Sequence, residues 1–542
     1  MTLFTFIFFT ALVAVLTWLI TRGKTTNTED GFFLAGRSLT GLVIAGSLLL
    51  TNLSTEQLVG LNGGSFAEGL SVMAWEVIAG CSLVVLALFF LPRYLKSGIA
   101  TIPQFLENRY DAKVRALTTG IFIVAYMLIL LPFVLFSGAS ALAYMLDLPG
   151  LLRLGNTATI WVVVAFIAIV GSAYAIFGGL RAVAVSDTFN GLGLLIGGAM
   201  ITWFSIQFAA GDGQSIGDVF KEIKTENPDA FASLGKEGED VHWPTLFSGV
   251  LLLNFFYWCT NQQIIQRTFG AKNLAEGQKG VLLAAFFKIL APLILVLPGI
   301  VALHIANQNP DFNQALLNEA GERDGTRVYG TLVRFVLPGA LTGFFAAVVV
   351  GSILSTFNSV LNSSATLFSL GVYKKVINPA ATTEQVVKSG RLCSAIVAVF
   401  AAVGAPLIFL GQEGIFGYFQ KLNGVYFIPL LGAILVGMFN KRVDGHSAFI
   451  SILVGLVIMI WGTFFSGEFI PNVFGSGYHF MGAVFVFLVV LQLVLGQKMK
   501  RSTPYVQADA QVVDLTPWKP ARLVGGLLVA TVLVIYLLLA NG

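Results

Sequence analysis

Long apolar runs, separated by short polar connections, set the pattern of this chain, and many exceed the length a buried core helix needs. Fourteen qualify as membrane spans: residues 3–21, 38–60, 68–92, 114–143, 157–178, 187–208, 244–266, 278–303, 339–371, 388–411, 416–437, 445–465, 477–496 and 523–541. The pattern predicts an all-α polytopic membrane protein with about fourteen transmembrane helices. An outer-membrane barrel would show short alternating segments instead. The ninth run, LTGFFAAVVVGSILSTFNSVLNSSATLF (341–368), carries hydroxyls at Ser352, Ser355, Thr356, Ser359 and Ser363. Spacings of three and four place them on one helical face. Such a stripe either hydrogen-bonds a neighbouring helix or offers oxygen ligands to a small hard cation.

Two other runs are interrupted by polar clusters. LLLTNLSTEQLVG (48–60) and LLLNFFYWCTNQQ (251–263) each pass from apolar residues into Asn and Gln side chains. In the first, Asn52, Ser54, Thr55, Glu56 and Gln57 put five polar residues into six positions. Either these side chains hold neighbouring helices together, or the helix breaks and exposes backbone carbonyls to a cavity. The two interruptions lie five spans apart, the spacing of two five-helix inverted repeats that each open with a broken helix. Chance similarity of polar interruptions is the competing explanation.

Three ionisable residues, Glu56, Glu76 and Lys288, lie well inside spans, where a charge costs about 2.5–3.5 kcal/mol on insertion scales. Glu76 and Lys288 have opposite sign and can neutralise each other. They read either as an ion pair holding helices together or as polar groups lining a cavity for an uncharged, hydroxyl-rich solute. Asn254, Tyr257 and Trp258 share one face of the seventh span, where rings either pack or stack on a solute. Gln420, beside Lys421 and Asn423, taken alone reads as a helix-end polar residue.

Charged residues make up 11% of the chain, against about 25% in soluble domains. The net charge of +4 says less than its placement. With the N-terminus outside, twenty-three of the 32 Lys and Arg fall in inner connections or at the inner ends of spans and eight in outer connections or at outer ends, with Lys288 well inside a span. That asymmetry favours an inner-membrane protein with both termini outside. The first run lacks a positive n-region and a cleavage site and is followed by Arg22 and Lys24, so a retained helix is expected. Cys81, Cys259 and Cys393 sit in apolar runs and read as buried thiols. The four histidines form no ligand cluster, no nucleophile–base pair points to an enzyme, and nothing points to nucleic acid. The connections 209–243 and 304–338 read as short surface helices or as disordered connectors. Residues 497–522 read as a solvated basic linker.

The motifs DGFFLAGRSL (30–39), TNLSTEQLVG (51–60), WE (75–76), TIPQFLENRY (101–110), FGGLRAVAVSDTFNG (177–191), NQQIIQRTFGAKNLAEGQKG (261–280) and NSVLNSSATLFSLGVYKK (358–375) together resemble the sodium/solute symporters. Within that family the resemblance is to the sodium/sugar cotransporters, most nearly the bacterial sodium/galactose transporters. It covers most of the chain and is weak over the last three spans. It implies a LeuT-type fold: an extra first helix (1–37), one inverted repeat at 38–208 and a second at 244–437, and three accessory helices in 438–542. It further implies a sodium site on the main-chain carbonyls of Leu50, Leu53 and Ser352 and the hydroxyls of Ser355 and Thr356. The implied sugar-binding positions are Gln57, Glu76, Asn254, Lys288 and Gln420, with Tyr257 as the inner gating ring and Trp258 beside it. Leu61, Trp75 and Phe416 fall where hydrophobic residues cover the sugar from outside. Asp187 matches a family aspartate on the inner side.

The implied activity is sodium-coupled uptake of a galactose- or glucose-type sugar, with the sugar, sodium and membrane lipid as partners. The galactose transporters differ at three positions: serine where this chain has Ala79, Met where it has Leu61, and Tyr where it has Trp75. A symporter for an inositol, a sialic acid or an amino acid is the nearest alternative. A carboxylated solute would favour an extra arginine deep in a span, and the sequence places none there. An ion channel or a membrane sensor is the alternative of another class, and no soluble signalling domain accompanies the spans.

Overall fold

The computed structural model describes residues 2–21, 34–211, 213–318, 320–412 and 414–542. The side chains of Leu50 and of residues 173–188 lie outside the described residues, so Arg181 and Asp187 do too, as do Arg22 and Lys24 entirely. Among the described residues all regular structure is helical, with only isolated β-bridges.

In chain order the helices are α1 (Thr2–Thr21), α2 (Gly41–Asn52), α3 (Thr55–Glu68), α4 (Ala74–Val85), α5 (Ile102–Arg109) and α6 (Ala112–Met145). There follow α7 (Asn156–Ala210), α8 (Ile216–Glu226), α9 (Gly249–Cys259), α10 (Gln262–Phe269), α11 (Leu274–Leu290) and α12 (Leu297–Gln308). The remainder are α13 (Pro310–Leu316), α14 (Gly325–Val336), α15 (Gly339–Phe368), α16 (Thr383–Phe409), α17 (Ile415–Phe439), α18 (Gly445–Phe464), α19 (Gly477–Lys498) and α20 (Ala521–Leu538).

Nine helical stretches among the described residues are long and apolar enough to cross a bilayer, ten if the pair around the 46° bend after Leu290 is one span. The expected fourteen are not reached by this measure, for physical reasons. Breaks divide two of the expected spans into short rods, α2 with α3 and α9 with α10. The stretch from Thr55 to Ser97 runs on through a tight turn instead of dividing near residue 60. The spans expected at 157–178 and 187–208 share the single helix α7, whose apolar ends are Asn156–Ser172 and Phe189–Ala210.

Helix α15 is the central rod, packed by α1, α6, α7 and α16 and buried over most of its length. Helices α16, α18, α19 and α20 instead expose large apolar side chains such as Leu392, Leu407, Val457, Val486 and Leu537. That much bare hydrocarbon suits lipid and not water. Helices α2, α4 and α11 approach closely through glycines. A Cβ at Gly280 would lie 2.7 Å from the Gly41 carbonyl, and one at Gly80 2.9 Å from the Ile289 side chain. Small residues at such seams let backbones meet where lipid gives no hydrophobic drive.

The two long connections hold helices. Helix α8 starts at a reciprocal Ser215–Asp218 capping box. Helix α14 is an interior element, because Val328, Tyr329, Leu332, Val333 and Val336 bury one face against α3 and α6. The linker after α19 also departs from expectation. Its side chains are largely exposed, but its backbone is docked as a strap. Arg501 N–H donates to Arg442 O (3.0 Å), Tyr505 N–H to Lys441 O (2.9 Å) and Ala510 N–H to Lys96 O (2.8 Å). Leu274 N–H donates to Asp514 O (2.9 Å), and Trp518 N–H to Gln278 Oε1 (2.8 Å).

Candidate functional site

The first break is a local consequence of the polar cluster. Leu53 takes φ −70° and ψ 63°, and Ser54 N–H turns back to Asn52 O at 2.7 Å, an inverse γ-turn. That N–H no longer closes the helical turn on Leu50. Ser54 is extended, and α3 restarts at Thr55. The break thus presents carbonyl oxygens sideways, toward α15. Thr356 Oγ1 donates to Thr51 O at 3.1 Å, and Ser352 Oγ to Leu53 O at 3.4 Å. Ser352, Ser355 and Thr356 are all buried. Main-chain and hydroxyl oxygens gathered at an unwound stretch are the donor set a small hard cation takes. The expected cation ligands Leu53, Ser352, Ser355 and Thr356 therefore fall in one neighbourhood, with Leu50 in the last turn of α2.

The rest of the hydroxyl stripe faces the second break. Thr260 and Asn261 separate α9 from α10, and both N–H groups fall back on Phe256 O at 2.9 Å. Ser363 Oγ donates to Gln266 Oε1 (2.9 Å), and Gln266 Nε2 to Thr366 Oγ1 (2.9 Å). Arg267 is buried on α10 and donates to Ser47 Oγ (2.7 Å), Gln263 O and Ser359 Oγ. The sequence pattern placed Arg267 in a connection. Its burial was missed because Ile264, Ile265 and Phe269 resume an apolar face only after the break. Tyr126, from the π-type turn within α6, donates to Asn261 Oδ1 (2.5 Å) and accepts from Gln263 N–H (3.0 Å).

Between the breaks lies a small cavity of about 30 Å³, lined by Asn52, Glu56, Gln57, Trp75, Glu76, Asn254, Tyr257, Trp258, Phe419, Gln420, Asn423 and neighbouring apolar side chains. Of the expected solute positions, Gln57, Glu76, Asn254, Gln420 and Tyr257 line it. Lys288 does not; it is fully buried behind Glu76, with Nζ 2.5 Å from Glu76 Oε2 and 5.3 Å from the Trp258 ring centroid. Tyr257 accepts from Gln263 Nε2 at 3.2 Å, which joins the cavity to the second break. Gln420 Oε1 accepts from Asn423 Nδ2 at 3.1 Å.

Trp75 also lines a second cavity of about 660 Å³, bounded by Glu68, Asp240, Asn318, Ala320, residues 322–327, Phe416 and Tyr478. Its ring meets Phe416 edge-on at 5.7 Å and Tyr478 at 5.8 Å. Trp75 is thus a partition between a vestibule and the small cavity. Of the residues expected to cover the solute, Trp75 and Phe416 are at this partition and Leu61 is buried without lining either space, while Trp258, expected beside the inner gating ring, is in the small cavity's wall. Phe419, stacked on Phe133 at 4.0 Å, lines the cavity without having been expected there, because a Phe in an apolar run carries no distinguishing signal.

A broken helix facing a hydroxyl-bearing rod, a charged cavity beside it and an aromatic partition above define an ion-coupled, multi-pass membrane transporter. The chain belongs to the sodium:solute symporter family, whose model matches residues 32–455. It is 42% identical to "Uncharacterized symporter YidK" of Escherichia coli K12 over 96% of this chain and 87% of that one. It is 30% identical to the sodium/glucose cotransporter of Vibrio parahaemolyticus over 80% and 79% of the two chains. A solved Na+-coupled sialic acid symporter in a substrate-bound outward-open state superposes with a TM-score of 0.74 at 19% identity, covering 93% of this chain and 99% of that one. The fold is LeuT-type, and sodium is the co-transported ion.

Proposed function

We propose that this chain uses sodium to drive uptake of a neutral galactose- or glucose-type sugar across the inner membrane, with both termini outside. The observation that carries this reading is the cavity wall. Gln57, Glu76, Asn254, Gln420 and the Tyr257 ring converge on one space directly beside the α2–α3 break. Hydroxyl-accepting groups plus a ring for an apolar sugar face make a carbohydrate surface. Sodium binds the carbonyls of Leu50, Leu53 and Ser352 and the hydroxyls of Ser355 and Thr356, pinning the break and ordering Gln57 for the solute. The repeats over 38–208 and 244–437 then rock about the site, with Trp75, Phe416 and Leu61 on the outer side and Tyr257 and Trp258 on the inner side. Lys288 acts through Glu76 by holding its carboxylate in place.

The space of about 30 Å³ holds roughly one water. Admitting a sugar therefore requires Trp75 and its neighbours to move, with the vestibule as the waiting volume. One charge crossing at 100 mV contributes about 2.3 kcal/mol, and about 1.4 kcal/mol is tenfold in concentration. One sodium per cycle therefore supports substantial accumulation.

The test is radiolabelled hexose uptake into proteoliposomes under an imposed sodium gradient. Sodium-dependent uptake that collapses with the gradient is expected. Equal uptake in potassium-only buffer rejects the coupling, and sodium-driven uptake of an inositol or amino acid in preference to hexoses rejects the sugar. Sodium current without solute would mark a channel.

A further inference from the structure

We propose that Glu56 is a specificity-determining residue of this cavity: its carboxylate accepts hydrogen bonds from the solute's hydroxyl or amino groups and turns away solutes that carry a carboxylate. The proposal rests on the carbohydrate reading above and adds a residue to which that reading gives no role.

Glu56 occupies the first turn of α3, where free backbone N–H groups favour a negative side chain. It lines the cavity, is only 3% exposed, and its Oε2 has no hydrogen-bond partner. A buried carboxylate oxygen without a donor is costly unless a ligand supplies one. Two neighbours share the condition: Asn52 Oδ1 and Gln57 Oε1 are also buried and unpartnered. Two amide donors of the lining are already engaged, Asn254 Nδ2 to Val250 O (3.1 Å) and Asn423 Nδ2 to Gln420 Oε1 (3.1 Å).

The charges point the same way. The described side chains lining the cavity include two carboxylates, Glu56 and Glu76, and no cation. Lys288 stands behind Glu76 and is engaged by it, so it balances one of the two. Arg267 is bound to Ser47, Ser359 and the Gln263 carbonyl and does not reach the lining. The buried lining atoms left without a partner are therefore acceptors, and the wall offers no cation to a carboxylate. A polyol brings the missing donors, and an amino sugar brings charged ones. A uronate brings a charge into a low-dielectric space that offers it no cation, which is costly.

The test is competition for binding to the purified full-length protein in sodium buffer. The probes are D-glucose and D-galactose, each compared with its 2-amino and its 6-carboxylate (uronate) form. The wild type should bind the neutral and amino forms and bind the uronates at least about tenfold more weakly, the scale of one charge-assisted hydrogen bond. Glu56→Gln should narrow the uronate gap by about tenfold and erase any preference for the amino form, by the same reasoning. Glu56→Asp, which keeps the carboxyl group, should keep the rejection, and the sodium half-saturation of both variants should match the wild type. A wild type that binds uronates as tightly as their parents overturns the proposal without any variant, and so does a Glu56→Gln protein with the wild-type ranking. Failure of the wild type to bind either sugar series is a different result: it removes the carbohydrate reading and this proposal together.

Discussion

At the α2–α3 break the chain turns through Leu53 and Ser54 and leaves Asn52 Oδ1, Ser54 Oγ, Thr55 Oγ1, Glu56 Oε2 and Gln57 Oε1 buried and without partners. At the α9–α10 break the chain also unwinds for two residues, yet most of its polar atoms are engaged. Tyr126 takes Asn261 Oδ1 and Gln263 N–H, Gln262 reaches Ile102 N–H (2.8 Å) and Ala100 O (3.1 Å), and Gln266 and Arg267 bind Ser363 and Ser359 of the stripe on α15. Only Asn261 Nδ2 and Gln263 Oε1 are left over there. Both breaks lean on the same hydroxyl-bearing face of α15. A buried polar group without a partner in the protein is expected to find one in a ligand. The first break is thus made for binding, and the second for holding a closed arrangement together.

The sharpest way to break this comparison is to remove hydroxyls from the two ends of the stripe. Ser355→Ala or Thr356→Ala should abolish sodium-dependent uptake, whereas Ser363→Ala, facing the second break, should leave clear sodium dependence. Hydrogen bonds to charged groups are worth about 1.5–3 kcal/mol, so losses of about tenfold to a hundredfold in sodium affinity are expected at the first end. Equal effects at both ends would erase the distinction.

The next effect is on the ion pair between the breaks. Glu76→Ala or Lys288→Ala should each cost about 3–5 kcal/mol in stability, because the remaining charge is buried alone. Each should also weaken hexose binding more than sodium binding. The double change Glu76→Met with Lys288→Met should be less destabilising than either single change, read as thermal unfolding in detergent.

Tyr126→Phe removes both hydrogen bonds from the second break and should cost about 1–3 kcal/mol of stability while leaving the sodium half-saturation unchanged. A large shift in sodium affinity would show that the second break also carries the ion.

The smallest effect lies outside both. Burial works against the Glu107 carboxylate, but Lys375 Nζ at 2.7 Å and Arg115 hold it below its usual range. A lowered folded value means the stabilisation is fully present above the unfolded value of 4.5 and is lost as pH falls through the folded one. Glu107→Gln should therefore flatten the loss of thermal stability on acidification below about pH 4.5 and change uptake little.

Much of this site is legible in the chain itself. Five polar residues in six positions could not continue an apolar helix unchanged, and α2 ends among them. Hydroxyls at spacings of three and four had to share a face, and Ser352, Thr356 and Ser363 each donate to a neighbouring element while Ser359 accepts from Arg267. Opposite charges at Glu76 and Lys288 had few alternatives to one another. Other features depend on three-dimensional placement that no local pattern encodes. That Lys288 lies behind Glu76 follows from the close crossing of α4 and α11. Burial of Arg267 follows from how α10 tucks against α2 and α15. Span counting failed where helices break, bend or fuse, because hydropathy averages over the few residues that decide direction.

The docked stretch over 499–520 carries a mechanical corollary. It is stitched to the segment after α4 at Lys96, to the turn before α18 at Lys441 and Arg442, and to the start of α11 at Leu274 and Gln278. Three remote patches of one face are therefore laced by a single cord of main chain. They travel as a group or the lacing comes undone, so the cord limits how wide that face can yawn in each turnover.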